Sequence, residues 1–163
     1  MAVDFTFRSI SDEKELIKLR DFLLFQNLGY PNYGDWVDRC IKEIDMGYKD
    51  SILAFSQDVL VGDLIFQSHK ALPRTLELKN LRIHPMMIRR DFGHFMLKQV
   101  EVEARNSGKY DLIMGDIRKE QESVRRLCVF SGYKELQTIS LYDSNHLDII
   151  VVKDLRTQKP FFN

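Results

Sequence analysis

Apolar side chains recur along this chain with two different spacings. Alternation of apolar and polar residues predicts strands, and recurrence at helical spacing predicts helices. Residues 3–8 alternate between apolar and polar positions, which is the period of a half-buried strand. Asp12, with Glu15 three residues later, matches a capping box that opens a helix. The apolar positions that follow have helical spacing and predict one buried face, formed by Leu16, Leu19, Leu23 and Leu24.

The next segments predict a second helix and a hairpin. Asp35 is the predicted N-cap of the helix, and Gly47 is its predicted stop. Two β-rich runs, 51–56 and 59–67, are separated by two polar turn residues and predict the hairpin. Gly62 interrupts the second run, so we expect a bulge or a close approach of another backbone segment there.

Strands and helices alternate in the second half. A strand from Thr75 leads into a helix that stops at 106–108, and the remaining segments predict a strand at 110–117, a helix at 119–131 and strands at 133–142 and 147–153. The predicted order is β, α, α, β, β, β, α, β, α, β, β. This order predicts the α/β class: a single domain, 1–163, with a mixed, mostly antiparallel central sheet and helices on both faces.

The composition of the chain argues against several classes of protein, among them nucleic-acid-binding, disulfide-rich and membrane-spanning proteins. Lys plus Arg and Asp plus Glu number 24 each, so no net charge favours nucleic acid or an anionic membrane surface. Cys40 and Cys128 have no Cys or His at metal-ligand spacing, so we expect neither a disulfide framework nor a metal site. The N-terminus lacks a signal-peptide core, and no apolar run is long enough to span a membrane. We therefore expect a soluble, cytoplasmic protein.

Residues 75–108 carry the clearest chemical signal. They pass from a strand, through a bend with Pro85, Arg89 and Arg90, into a helix with Gly93 in its first turn. The unpaired N–H groups of a helix start point toward such a bend, and the helix dipole adds partial positive charge. The stretch predicts an anion site, and the alternative is a pair of solvated loop arginines.

The element order and the run 77–97 resemble the Gcn5-related N-acetyltransferase (GNAT) family, over nearly the whole chain. The phosphate loop of that family has Gln or Arg, two residues, Gly, one residue, then Gly or Ala, and it falls here on 88–93. Only Gly93 matches, because Ile88 and Asp91 depart from the pattern. The resemblance implies a loop that holds the pyrophosphate of the co-substrate acetyl-CoA, formed by Arg89, Arg90, Asp91, Phe92, Gly93 and His94.

A second family motif falls on the later helix and ends at Gly132-Tyr133. The motif assigns Gln121 to the cofactor site. Cys128 replaces the tyrosine that often protonates the departing CoA thiolate, and a thiol could take that role. The alternative is that Cys128 is a small buried hydrophobic residue on an apolar helix face.

Glu77 lies on the strand where several family members place a general base, which takes a proton from the substrate ammonium group. An ion pair with the nearby Lys79 is the alternative. In the same strand, the resemblance implies that the main chain of Leu81 and Ile83 pairs with the pantetheine arm.

Asp91 decides whether the loop can bind phosphate. Its carboxylate would meet a phosphate group with a like-charge penalty, which Arg89 and Arg90 would offset. Alternatively, Asp91 caps the helix and occupies the N–H groups that a pyrophosphate would need.

Two functions remain open from the sequence. The first is transfer of an acetyl group from acetyl-CoA to an amine, in a small molecule or a protein, by direct attack. The second is a catalytically weakened relative that acts as a binding or regulatory module. The aromatic residues in or near the loop 27–34, Tyr30, Tyr33 and Trp36, could line an acceptor pocket or pack in the core. Phe161-Phe162 could pack against a second copy in a homodimer.

Overall fold

A computed structural model describes residues 5–27, 29–88 and 91–157. Its elements are β1 (Phe5–Arg8), α1 (Glu13–Phe25), α2 (Tyr33–Asp45), β2 (Asp50–Ser56), β3 (Val59–Ser68), β4 (Thr75–Ile83), a 3₁₀ helix (Pro85–Met87), α3 (Phe92–Ser107), β5 (Leu112–Arg118), α4 (Glu122–Phe130), β6 (Lys134–Ile139) and β7 (Asp148–Asp154). The predicted order of strands and helices is confirmed. Val3 and Asp4 of the predicted first strand lie outside the described residues. Within these ranges, no helix has the length and apolarity that a membrane crossing requires.

The strands form one seven-stranded mixed sheet in the order β1-β2-β3-β4-β5-β7-β6. Strands β4 and β5 pair in parallel, whereas β1–β2, β2–β3, β5–β7 and β6–β7 pair antiparallel. The predicted sheet, mixed and mostly antiparallel, is confirmed. Contacts divide the chain into two compact units, Met1–Gln67 with Lys79–Met96 and Ser68–Leu78 with Leu97–Asn163, so β4 and α3 contribute to both.

The start of α1 is fixed by the predicted capping residues. The Asp12 carboxylate accepts the N–H of Glu15 at 2.9 Å. The Glu15 carboxylate accepts the N–H of Ser11 at 2.8 Å and forms an ion pair with Arg8 of β1. The Arg8 hydrogen bond lowers the pKa of Glu15 to about 2 despite burial, so the carboxylate stays charged and ties α1 to β1.

Helices cover both faces of the strands in the first unit. One face packs against α1 and α2 through a cluster that includes Leu19, Leu23, Val37, Cys40, Leu53, Phe55 and Ile65. Arg8 lies over the Phe55 ring on that face, so its neighbour Phe7 points to the other face. There the Phe92 ring of α3 meets Phe5 and Phe7 edge-on, at 4.8 and 5.5 Å between centroids. The prediction of helices on both faces holds for this unit.

Two predictions about α1 and α2 are wrong. Helix α2 begins at Tyr33, after Asn32 in the left-handed region with φ of 54°, so Asp35 lies inside the first turn rather than at the N-cap. In α1, Leu24 is 38% exposed whereas Phe22 is buried. Leu19 and Leu23 set the direction of the buried face, and Leu24 is rotated about 100° from Leu23 by the helix geometry.

Gly62 allows the close backbone approach that its position predicts. A Cβ atom at this residue would lie 3.1 Å from Ile83 Cδ1, 3.3 Å from Ala54 Cβ and 3.3 Å from the Arg82 carbonyl oxygen. The register of β2 with β3 also shifts between Ala54 and Phe55, next to the glycine. Strands β2 and β4 therefore crowd Gly62 from two sides.

A carboxyl group is fully buried beside Gly62. Asp63 is 0% exposed, and its Oδ2 atom accepts a hydrogen bond from Asn80 Nδ2 at 2.7 Å. Its Oδ1 atom has no hydrogen-bond partner among the described residues. Burial raises the pKa of Asp63 to about 7, against the lowering effects of Asn80 and Arg82. The first unit therefore contains a carboxyl group that changes charge near neutral pH.

The second unit has a charged network around Lys153 of β7. The Lys153 Nζ atom lies 2.6 Å from Glu101 Oε2 and 2.6 Å from the Ser131 carbonyl oxygen. Arg105 donates to the other Glu101 oxygen at 3.2 Å. Gly132, which lies just past the end of α4, has φ of 92°, and the lysine packs against it. The network connects α3, β7 and the end of α4.

Replacement of Gly62 by alanine should destabilise the protein by about 1–3 kcal/mol, because the new methyl group is forced against Ala54 and the Arg82 carbonyl group. The matched control is Gly34→Ala in α2, where a Cβ atom would meet nothing within 4 Å. Alanine there should stabilise by about 0.5–1 kcal/mol. Urea unfolding of both variants measures the two effects, and equal effects would contradict the close approach.

Asp63→Asn should stabilise the protein increasingly as pH rises from about 4 to about 7. The raised pKa of Asp63 means that the unfolded chain releases this proton at lower pH than the folded chain does, so the wild type loses stability over that window. The gain at pH 8 relative to pH 5 should be about 2.5 kcal/mol, by the linkage relation. Chemical unfolding at both pH values measures it. Asp21→Asn, an exposed change of equal charge, should show no such trend.

Candidate functional site

The bend after β4 is held by backbone contacts within the first unit. The His84 N–H donates to the Val61 carbonyl at 2.7 Å, which keeps the end of β4 against β3. Pro85 then begins the 3₁₀ helix, and His84 Nδ1 accepts the N–H of Met86 at 3.1 Å. The His84 side chain is therefore a cap for this turn, and the chain leaves the strand at a defined residue.

Asp91 stands immediately before α3 in the left-handed backbone region, with φ of 62°. Most residues with a Cβ avoid this region, and Asp and Asn are among those that tolerate it. The family motif places a glycine at this position, and glycine adopts the left-handed region without cost. The backbone conformation typical of glycine is thus present although the residue carries a carboxylate.

The first turn of α3 presents backbone donors. The Phe95 N–H donates to the Asp91 carbonyl at 3.0 Å and forms the first bond of the helix. The N–H groups of Phe92 and Gly93 donate to no acceptor in the described part of the chain, as is usual at a helix start. No described residue donates to the Asp91 carboxylate, which is exposed. The two interpretations of Asp91, as a helix cap and as a neighbour of a bound phosphate, stay predictions.

Phe92 and Gly93 are buried at this turn, whereas Asp91 and Phe95 are exposed. The Phe92 ring is 4% exposed, so this residue can offer only its main chain to a ligand. Gly93 is buried and His94 is half-buried. Within β4, Leu81 and Ile83 are half-buried, and Ile83 contributes the contact with Gly62.

Arg89 and Arg90, the two predicted phosphate-binding cations, lie outside the described residues. Their role stays a prediction. The other predicted residues of the anion site belong to the first unit, whereas Glu77, Gln121 and Cys128 belong to the second.

Glu77 of β4 lies beside a histidine that the sequence did not point to. Its Oε2 atom is 3.6 Å from His69 Nε2, and both side chains are mostly buried. Glu77 is opposite Met114 in the parallel register with β5. That register runs from Thr75 to Glu77, whereas β4 continues to Ile83.

Cys128 lies on the buried face of α4 and is 3% exposed. Burial raises the pKa of its thiol to about 12. A thiol of that acidity gives up its proton with difficulty at neutral pH, so burial favours the packing interpretation of this residue. Gln121 is the N-cap residue of α4 and is half-buried, and its side chain makes no capping hydrogen bond.

One aromatic candidate for the acceptor pocket and three basic residues are used in structural contacts. Tyr33 is buried, donates from its hydroxyl group to the Leu23 carbonyl at 2.6 Å and stacks on Trp36. It therefore belongs to the core rather than to an acceptor pocket. The basic residues of β5 and α4 pair with carboxylates: Arg118 with Asp143, Arg125 with Glu135 and Arg126 with Glu122.

Sequence reasoning missed His69 and Asp63. Asp63 had a signal, because it is a single charged residue inside the apolar run 59–66. His69 had none, since its contact with Glu77 depends on how the loop between β3 and β4 turns. Among the described residues, no cluster of His, Cys, Asp and Glu has the geometry to hold a metal ion.

The comparisons with known proteins come from structure alone. No protein-family model matches the sequence, and no curated protein matches it. A candidate GNAT acetyltransferase from Desulfovibrio desulfuricans has a TM-score of 0.81 at 16% identity, over 93% of this chain and 99% of that one. The ribosomal-protein-S18-alanine N-acetyltransferase from Escherichia coli has a TM-score of 0.73 at 13% identity, over 98% and 99%.

A third similar structure contains a ligand. A candidate acetyltransferase from Salmonella typhimurium, solved with its cofactor acetyl-CoA, has a TM-score of 0.71 at 13% identity, over 93% of this chain and 94% of that one. Identities this low establish the arrangement of the chain rather than its activity. Together with the strand order and the bend before α3, they show that this chain has the GNAT fold.

Proposed function

We propose that this protein is an N-acetyltransferase that uses acetyl-CoA to acetylate an amine by direct attack. The observation that carries the proposal is the backbone at Asp91, which is left-handed and precedes a helix whose first N–H groups, those of Phe92 and Gly93, donate to no acceptor in the described part of the chain. A helix start of this kind favours a phosphate group through its N–H groups and its dipole. The GNAT fold of the chain supports the same function.

The cofactor would bind along the bend. The main-chain N–H groups of Phe92 and Gly93 would donate to the pyrophosphate, with Arg89, Arg90 and His94 as further contacts. The pantetheine arm would pair with the main chain of Leu81 and Ile83 in the manner of an added strand. Gln121, at the start of α4, is the remaining proposed cofactor contact.

The reaction would proceed without a covalent enzyme intermediate. Glu77 would take one proton from the acceptor ammonium, directly or through water, and the amine nitrogen would then attack the thioester carbonyl carbon. The C–S bond breaks as the tetrahedral intermediate collapses. The nitrogen loses a second proton, and the CoA thiolate takes up one proton, so the products are an amide and CoA.

The rival proposal is a GNAT-fold module that binds a ligand without turnover. The Asp91 carboxylate favours it, because a negative charge next to the proposed pyrophosphate site weakens cofactor binding. Acetyl-CoA that binds without acetylating any amine would support this module.

Removal of the Asp91 charge should strengthen acetyl-CoA binding. Asp91→Asn keeps a residue that tolerates the left-handed region, and loss of about 1 kcal/mol of repulsion would lower the Kd about fivefold. Asp91→Gly should do the same and also relieve the backbone strain, with a stability gain of up to about 1 kcal/mol. Isothermal titration calorimetry with acetyl-CoA measures the Kd.

Asp21→Asn is the matched control for Asp91→Asn, since it makes the same change in net charge on exposed α1 and should leave the Kd unchanged. If the wild type and both Asp91 variants fail to bind acetyl-CoA at millimolar concentration, the acetyltransferase proposal is wrong.

Cys128→Ala should reduce kcat by less than about threefold, because a buried thiol with a pKa of about 12 is a poor proton donor. The variant should nevertheless lose about 1 kcal/mol of stability from the lost packing of the sulfur. Release of CoA with a primary-amine substrate gives kcat. A loss of a hundredfold or more, in a variant that is still folded, would restore Cys128 as the acid.

A further inference from the structure

The His69 ring is held by its own loop in the second unit. Its Nδ1 atom accepts the N–H of Ala71 at 3.0 Å and the N–H of Leu72 at 2.9 Å. The His69 main-chain N–H donates to the Thr75 carbonyl at 2.8 Å. Both the backbone and the ring of this residue are therefore fixed relative to the start of β4.

The other end of the loop is anchored as well. Arg74 donates from Nε and Nη2 to the two Asp111 carboxylate oxygens, at 2.9 and 3.1 Å, and also from Nη2 to the Gly108 carbonyl at 3.2 Å. The Asp111 N–H donates back to the Arg74 carbonyl at 2.7 Å. This two-pronged contact connects the loop to the residues just before β5 and leaves it little freedom.

These contacts determine the tautomer of His69. A neutral imidazole carries one hydrogen, and an Nδ1 lone pair that accepts two N–H groups places that hydrogen on Nε2. Nε2 is the ring atom that faces Glu77 Oε2, at 3.6 Å. Hydrogen bonds of catalytic groups are often long before substrate binds and shorten in the complex. The loop thus presents an N–H donor to the proposed base.

We infer that His69 is a positioning residue for Glu77: its Nε2–H holds one carboxylate oxygen so that the carboxylate faces the acceptor amine in a single orientation. The inference rests on the proposed function, in which Glu77 is the general base. His69 itself takes no proton in the reaction, because its acceptor nitrogen is occupied by the loop. A correctly oriented base is worth a large factor in rate, since misplacement of a reacting group by about 1 Å can cost about a hundredfold.

Two conservative variants separate orientation of Glu77 from support of the loop. His69→Gln places an amide N–H near the position of Nε2 and loses the acceptor for Ala71 and Leu72. His69→Asn places an amide oxygen near Nδ1 and loses the donor to Glu77. We expect His69→Asn to lower kcat about tenfold or more with the KM for acetyl-CoA unchanged, and His69→Gln to retain at least about one third of kcat.

The assay measures CoA release with acetyl-CoA and two probe amines, a peptide with an N-terminal alanine and a small primary amine. Glu77→Gln is combined with His69→Asn, and the double variant should be no slower than Glu77→Gln alone, because His69 acts only through Glu77. His146→Asn, a loop histidine of the same unit that pairs with Asp143, is the control and should keep full activity.

The tautomer is tested independently by ¹⁵N NMR of the His69 ring. We expect a protonated Nε2 and an unprotonated Nδ1, with the Nε2 shift changed by Glu77→Gln and not by Glu135→Gln. Three results would each overturn the inference: additive losses in the double variant, a slow His69→Gln with a fast His69→Asn, or a hydrogen on Nδ1. If the wild type still turns over acetyl-CoA, the proposed function stands in each case. A wild type that neither binds acetyl-CoA nor acetylates a probe would overturn both.

Discussion

The missing side chain at Gly62 is the constraint on which the rest of the first unit depends. Because residue 62 has no Cβ, the Ile83 side chain and the Arg82 carbonyl oxygen can lie closer to it than a methyl group at this position would allow. The end of β4 is thereby set against β3, and the bond from the His84 N–H to the Val61 carbonyl continues the contact by one more residue. The position of the bend follows from this packing.

Polar groups in the interior fall into two kinds with different consequences. Glu101 has cationic partners in Lys153 and Arg105, which lower its pKa despite burial and keep it charged. Asp63 has a neutral amide partner in Asn80, so burial dominates and raises its pKa. Paired charges therefore stabilise the second unit at neutral pH, whereas the first unit contains a carboxyl group whose charge opposes folding above its pKa.

The candidate site combines a left-handed backbone, which is typical of glycine, with an acidic side chain. Asp91 adopts the left-handed region that glycine favours, and its side chain is exposed. The shape of the proposed anion site is thus separate from its charge. The fold decides the shape, because the strand end and the helix start are both packed. The residue at position 91 decides how strongly an anion is attracted.

Local patterns in the sequence determined the order of the elements, the cap at Asp12 and the crowding at Gly62. These features depend on residues close in the chain, or on the one property that distinguishes glycine. The predicted start of α2 was misplaced because Asn32 adopts the left-handed region. Several nearby residues could have adopted this conformation, so the sequence did not indicate which of them would precede the helix. The prediction of the buried face of α1 was partly wrong, because Leu23 and Leu24 are adjacent and the pattern did not indicate which of them faces the core.

Only the tertiary structure decided which distant side chains meet. His69 reaches Glu77 because a loop anchored by Arg74 and Asp111 turns the ring back toward β4, and no spacing in the sequence encodes that turn. Burial of Cys128 and Asp63 likewise depends on what packs over them, and burial is what moves their pKa values. The sequence by itself determined the architecture and the chemical types of the candidate residues. Their environments, and so their acidity and orientation, came from the packing of elements far apart in the chain.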